Sequence, residues 1–250
     1  MIEDLVSIVT PAYKAEGYVA ETIRSVQAQS YRNWEMLIVE DGSPDKTAEV
    51  VASYAETDLR IRLIRQVNSG PAMARQKALD HAQGRYIAFL DSDDLWLPEK
   101  LATQLAFMTA QDAVLSFTGF RRINADGTET GRLISAPATL NYHSLLGNTA
   151  IATSTVIIDR QKSGPFNMTK TYYDDFVLWL GILKRGHLAR GLDADLMRYR
   201  VLGLSVSRNK WRSMRMVWKT YRDIERLSLV RSAFAFARYA WNAWWKYRQF

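Results

Sequence analysis

Two aspartates one residue apart, Asp91 and Asp93, follow the apolar run Tyr86-Ile87-Ala88-Phe89-Leu90. A buried strand there would deliver both carboxylates to one crevice. Carboxylate oxygens are hard donors suited to Mg²⁺ or Mn²⁺, which commonly take one or two protein carboxylates plus substrate phosphates. The plain alternative is that these acids cap the next turn, which needs only one of them. Asp41-Gly42-Ser43 is a second candidate, with an aspartate able to accept hydrogen bonds from a nucleobase imide and a glycine that permits a tight turn. Thr10-Pro11-Ala12-Tyr13 offers an aromatic face for stacking. Arg75 offers a guanidinium for a base or phosphate. Asp174-Asp175 opens an amphipathic segment, where acids suit a helix N-terminus and where Asp175 could instead serve as a general base.

The surrounding periodicities show what must position these groups. Leu5–Val9, Trp34–Val39, Ile61–Ile64 and Arg85–Leu90 read as strands. Helical patterns run over Val19–Gln29, from Ser43-Pro44 onward with Ser43 as N-cap, from Ser69-Gly70-Pro71 to about Ala82, and from Pro98 to about Thr109. This alternation predicts an α/β fold, a mostly parallel twisted sheet with helices on both faces. Ligands on such sheets sit at the carboxyl ends of the strands, where Thr10–Tyr13, Asp41 and Asp91–Asp94 all fall. Beyond Val114 the pattern changes, with strands at Val114–Phe120 and Thr155–Ile158, a turn at Asn124–Gly127 and a helix over Tyr173–Lys184.

Composition narrows the classes. The chain has 250 residues, 48% hydrophobic and 24% charged, and no cysteine, so disulfides, thiolate metal sites and a cysteine nucleophile are excluded. His81, His143 and His187 are scattered, and no P-loop or dinucleotide fingerprint is present. The net charge of +7 is concentrated at one end: residues 208–250 hold eleven Lys and Arg against Asp223 and Glu225, a net of +9, which leaves −2 for residues 1–207. A basic tail with an acidic body speaks for anionic lipid rather than nucleic acid. On a helical wheel Arg231, Arg238, Asn242, Lys246 and Gln249 share one stripe, with Phe236, Trp241, Trp244 and Tyr247 broadly opposite. Met214, Val217, Trp218 and Tyr221 form a similar patch upstream. Packing on the domain or in a homo-oligomer is the alternative use of these faces. The apolar runs fall short of the ~18 residues that span a bilayer and there is no signal-peptide pattern, so a cytoplasmic protein, peripheral on the inner membrane face, is expected.

As a set, Ser7–Tyr13, Glu40-Asp41-Gly42-Ser43, Asn68-Ser69-Gly70 with Arg75, Phe89–Trp96 and Asp174-Asp175 with Leu178-Trp179-Leu180 resemble the family 2 glycosyltransferases with a GT-A fold. Trp96–Leu101, Thr153–Val156, Tyr199-Arg200 and Ser205–Lys210 look like bacterial enzymes of the teichuronic acid, capsule and lipopolysaccharide type. The resemblance implies a GT-A domain over 1–210, nucleotide-binding in 1–110 and acceptor-binding in 111–210, with 211–250 as a helical extension. It implies that Thr10, Pro11 and Tyr13 line the base pocket, Asp41 binds uracil, Arg75 helps hold the nucleotide, and Asp91 contacts the ribose side. It further implies that Asp93 binds a divalent cation, Mn²⁺ or Mg²⁺, and that Asp175 is the base of an inverting transfer from a UDP-sugar to a glycan or lipid-linked acceptor. Glu40 stands where the family more often has aspartate. Asp174 replaces the usual glutamate, so the pair offers two carboxylates for one role. A nucleotidyltransferase would share the sheet and the acids, but it usually carries a glycine-rich basic loop that Thr10–Gly17 lacks. A non-catalytic membrane-associated scaffold would have no need of the acids.

Overall fold

The computed structural model describes residues 1–148, 150–202 and 210–248, the side chains of 210, 211 and 243–248 excepted. Its elements follow the expected alternation: β1 (Ile2–Ala12), α1 (Val19–Gln27), β2 (Trp34–Glu40), α2 (Thr47–Thr57), β3 (Ile61–Arg65), α3 (Pro71–His81) and β4 (Gly84–Phe89). Then come β5 (Leu95–Trp96), α4 (Lys100–Ala110), β6 (Leu115–Ile123), β7 (Thr130–Ile134), β8 (Thr139–Leu140) and α5 (Tyr142–Leu146). After a 3₁₀ turn at Thr153–Thr155 follow β9 (Ile157–Asp159), α6 (Arg160–Ser163), α7 (Asp174–Leu183) and β10 (Ala189–Arg200). The chain closes with α8 (Lys210–Lys219), a π-helical turn at Thr220–Ile224 and α9 (Leu229–Arg248).

One sheet runs in the order β3-β2-β1-β4-β9-β6-β10-β5, with β7 beside β6 and β8 beside β10. The expected parallel set β3-β2-β1-β4 is present. The sheet as a whole is mixed, because β9 runs antiparallel between β4 and β6. Strands β1, β2 and β4 are buried on both faces, which is why they read as near-continuous apolar runs. Their alternate side chains feed two cores: Val6 and Ile8 pack with Val19, Ile23 and Val26 of α1, whereas Val9, Leu37 and Phe89 pack with Ala74 and Ala78 of α3 and Trp179 of α7.

Three local expectations change. Ser43 does not cap α2: the helix begins four residues later, where Asp45 Oδ1 accepts from the Thr47 backbone N–H at 3.1 Å. Ser43 Oγ instead accepts from the Lys14 backbone N–H at 3.1 Å, stitching the loop after β2 to the loop after β1. The upstream tail patch is core, since Val217 and Tyr221 are fully buried in the cluster that holds α7. In α9, Phe236 turns inward, its ring edge-on to Trp218 at 5.6 Å, and Asn242 Nδ2 donates to the Gly147 carbonyl at 2.7 Å. Both lie on the packed side of the helix, so the wheel of residues 228–250 is rotated from that expected. Lys246 and Gln249 of its basic stripe, and Trp244 and Tyr247 opposite, lie outside the described side chains. So does Ser205–Asn209 of the resemblance.

Candidate active site

Arg75 is the centre of the site. Pro71 starts α3 at a position where its missing N–H costs nothing, and Ala74 and Ala78 let the helix lie close on the sheet. This carries Arg75 to the mouth of β4 with its side chain only 8% exposed. Nη2 donates to Asp91 Oδ1 at 2.6 Å and Nη1 to Asp174 Oδ2 at 2.7 Å. Burial acts against the guanidinium charge, but Asp91, Asp174 and Asp175 outweigh it and hold Arg75 ionised more firmly than usual. Among the described residues its Nε–H has no partner although buried, a donor left over at the wall of the crevice. One planar fork thus ties the loop after β4 to the start of α7, which a lysine could not do with the same geometry.

The loop Asp91–Asp94 alternates between the crevice and the interior. Asp91 and Asp93 are partly exposed while Ser92 and Asp94 are buried. Asp94 is a brace: it accepts from Ser154 Oγ at 2.5 Å and from the Arg200 backbone N–H at 3.0 Å. Arg200, its side chain 1% exposed, donates through Nε to the Asp93 carbonyl at 2.9 Å and through Nη2 to Glu21 at 2.6 Å. Ser154 Oγ also accepts from the Asp91 backbone N–H at 3.0 Å. Burial, and then the adjacent Asp91 carboxylate, push Asp93 up to about 6.

Opposite the loop stands the first turn of α7. Trp179 is 1% exposed and meets Phe89 of β4 edge-on at 5.2 Å, an arrangement worth about 0.5–1.5 kcal/mol beyond burial. That contact fixes the N-terminus of α7 beside the end of β4. The two acids there part company. Asp174 is buried against Arg75, and burial raises its carboxyl despite that partner. Asp175 is partly exposed. Its Oδ2 accepts from Thr153 Oγ1 at 2.6 Å and its Oδ1 from the Phe176 backbone N–H at 2.6 Å. Of the two, Asp175 is the more accessible carboxylate, and Asp174 anchors the helix to Arg75.

The 3₁₀ turn is the link that sequence reasoning missed. Thr153 orients Asp175, and Ser154 holds both Asp91 and Asp94. Its carbonyls are held from the interior, Ser154 O by Trp96 Nε1–H at 2.7 Å and Thr155 O by Lys100 Nζ at 3.2 Å. Small hydroxyls in a neutral segment carry no period and no charge signal. Thr153–Val156 and Tyr199-Arg200 showed themselves only as stretches of resemblance.

At the carboxyl end of β2, Asp41 is 3% exposed and already accepts three hydrogen bonds: from Gln66 Nε2 at 2.7 Å, Ser69 N–H at 2.8 Å and Gly70 N–H at 2.9 Å. It orders the turn into α3, leaving about one of a carboxylate's four acceptor positions for a base. Gly42 at φ 67° places its backbone where a Cβ would lie 2.9 Å from the Asn68 nitrogen, so only glycine fits. Pro11 is half-buried and Tyr13 is 46% exposed, open at the surface. Thr10 is fully buried, and among the described residues its hydroxyl has no partner.

Among the described residues no three His, Cys, Asp or Glu side chains converge into a protein-only metal cage. The donor set nevertheless suits a hard divalent cation that completes its shell with phosphate oxygens and water. Burial first, and then the crowding of Asp91, Asp93 and Asp94, raises Asp93 and Asp94, and a cation would relieve the crowded negative charge.

The glycosyl transferase family 2 model matches residues 7–167, which hold Thr10, Asp41, Arg75 and the Asp91–Asp94 loop. The chain belongs to this family. This glycosyltransferase is 44% identical over 241 residues, 96% of each chain, to TuaG of Bacillus subtilis, a glycosyltransferase ascribed to teichuronic acid biosynthesis. It is 34% identical over 232 residues, 92% of this chain and 90% of the other, to WfgD of Escherichia coli, a UDP-Glc:α-D-GlcNAc-diphosphoundecaprenol β-1,3-glucosyltransferase. In fold it is similar to residues 1–349 of S. aureus TarS in complex with UDP-GlcNAc, with a TM-score of 0.71 at 18% identity over 94% of this chain and 71% of that one. It is similar also to a Pyrobaculum calidifontis mannosyltransferase in complex with GDP-Man and Mn²⁺, with a TM-score of 0.68 at 17% identity over 95% of this chain and 73% of that one.

Proposed function

We propose that this glycosyltransferase moves a sugar, with inversion, from a UDP-sugar to a lipid-linked saccharide in bacterial cell-surface polysaccharide synthesis. The observation that carries the reading is the Arg75 fork, which joins the donor-side acid Asp91 to the acid next to Asp175. Donor and acceptor chemistry thereby share one crevice. The relatives support the class: one is ascribed to teichuronic acid biosynthesis, and another uses UDP-Glc and a diphosphoundecaprenol-linked acceptor to make a β-1,3 linkage.

In the proposed mechanism Asp175, oriented by Thr153, takes the proton from an acceptor hydroxyl as that oxygen attacks the anomeric carbon. One base and one direction of attack give inversion, so an α-linked donor yields a β-linked product. Asp93, with Asp91 beside it, would hold the divalent cation, whose chemistry is to offset charge on the departing diphosphate. Tyr13, exposed beside half-buried Pro11, offers the surface on which the base rests, and Asp41 keeps one acceptor position for the uracil imide while ordering the turn into α3. Arg75 keeps the two halves in register and fixes Asp174.

A panel of nucleotide-sugars with and without Mn²⁺ or Mg²⁺, read as thermal stabilisation, tests the reading, because a ligand that binds only the folded chain raises its stability. A UDP-sugar should raise Tm only with the metal, and Asp93→Ala should abolish that dependence. Stabilisation by no nucleotide-sugar, or an equal response in Asp93→Ala, would refute it.

A further inference from the structure

Among the described residues no helix is long and apolar enough to cross a membrane, yet α9 carries an exposed apolar stripe. Its inward side is occupied: Ser232, Ala235 and Tyr239 are buried. At about 100° per residue, Val230, Phe234, Ala237 and Trp241 fall within about 60° of one another on the far side. Val230 is 79% exposed, Phe234 67% and Trp241 60%. Arg231 and Arg238, both exposed, lie along the flank of this stripe.

We propose that this face of α9 seats the enzyme on an anionic bilayer surface, with Phe234 and Trp241 in the boundary between headgroups and acyl chains and the flanking arginines at lipid phosphates. A helix with aromatic residues along one line and arginines beside it suits that boundary. Charge supports this occupant over others. Between residues 212 and 242 seven Lys and Arg are exposed against one exposed acid, Asp223, and anionic lipid attracts such a surface. A second copy of the chain would set like-charged flanks against each other, which opposes a symmetric contact. Helix α8, which packs on α9, also touches the segment that leads into α7. The Arg212 guanidinium of α8 lies 5.1 Å from the Tyr172 ring centre, two residues before Asp174-Asp175. Given the proposed lipid-linked acceptor, the docked helices would bring the base to the bilayer where that acceptor resides.

Flotation of the full chain with vesicles of phosphatidylcholine alone, or mixed with phosphatidylglycerol, tests this. The chain should float with the anionic vesicles and less so at high salt. The exposed-site double variant Phe234→Ser/Trp241→Ser should lower binding on the order of tenfold, and Arg231→Glu should lower it on anionic vesicles only. UDP affinity, measured separately, should be unchanged in each, so a failure of docking is distinguished from a failure of the transferase reading. No flotation of the wild type, or full flotation of the double variant, would overturn the proposal. So would a concentration-dependent dimer in the absence of lipid that the double variant abolishes, because the stripe would then belong to a second copy.

Discussion

Replacing Arg75 with methionine removes the cation from between Asp91 and Asp174 while keeping much of the side-chain volume. Breaking a buried ion pair by deleting one partner costs about 3–5 kcal/mol, because the remaining charge stays buried. The larger share should come from Asp174, 9% exposed, since Asp91 at 29% can recover some water. Urea unfolding at neutral pH should therefore show a loss of about 3 kcal/mol, a large fraction of a typical domain's 5–15 kcal/mol. The deficit has a pH signature. Burial already raises Asp174 above its unfolded value of 3.8, and Arg75 is what lowers it. Without Arg75 the folded carboxyl rises further and takes up a proton at a pH where the unfolded chain does not. A raised carboxyl destabilises the fold where it stays ionised and ceases to do so as pH falls through its folded-state value, so the deficit should shrink as the pH is lowered from neutral. Adding Asp174→Asn should restore part of the loss, with a coupling of about 1–3 kcal/mol in the double-mutant cycle. If Arg75→Met lay within about 0.5 kcal/mol of wild type, as an ordinary surface substitution does, the buried fork could not be what ties the two halves of the crevice.

Three further outcomes are expected. Lys100 is fully buried under the 3₁₀ turn, and burial lowers it to about 7 from 10.5. The unfolded chain binds the extra proton between those values, so wild-type stability should gain from this group as pH rises from 7 to 10. Lys100→Met should flatten that rise in urea titrations. Gly42→Ala should destabilise by about 1–3 kcal/mol, from a positive φ and a forced approach to Asn68, read as a fall in Tm. Thr153→Val should leave stability and UDP affinity nearly unchanged but lower kcat on the order of tenfold or more, since the hydroxyl that orients Asp175 is lost.

Residues with strong local signals were legible in the sequence. Strands β1, β2 and β4 are apolar runs because both of their faces are covered, and the rule that ligands gather at strand carboxyl ends led directly to Asp91, Asp93 and the loop after β2. The acids of α7 stood out by charge. Residues acting through tertiary contacts were not legible. Strand β10, Ala189–Arg200, has no two-residue alternation of burial and pairs with β6 along an irregular register, so it showed no strand period, and the Arg200 brace went with it. Asp41 sits where the motif placed it, yet its carboxylate is spent largely on the turn into α3, a use that only the fold reveals. Asp174 and Asp175 could not be told apart until Arg75, ninety-nine residues away, was seen to take the first. In the tail, the amphipathic pattern was real, but which side faced inward depended on Trp218 and Gly147, which lie outside that helix.

The most direct test of the account compares Asp175→Asn with wild type for sugar transfer and for UDP binding with the metal present. Transfer should fall by about 10²–10⁴-fold, while UDP affinity stays within about twofold. Near-full transfer by the variant, or loss of UDP binding as great as the loss of transfer, would contradict the assignment of Asp175 as the base across the crevice from the nucleotide.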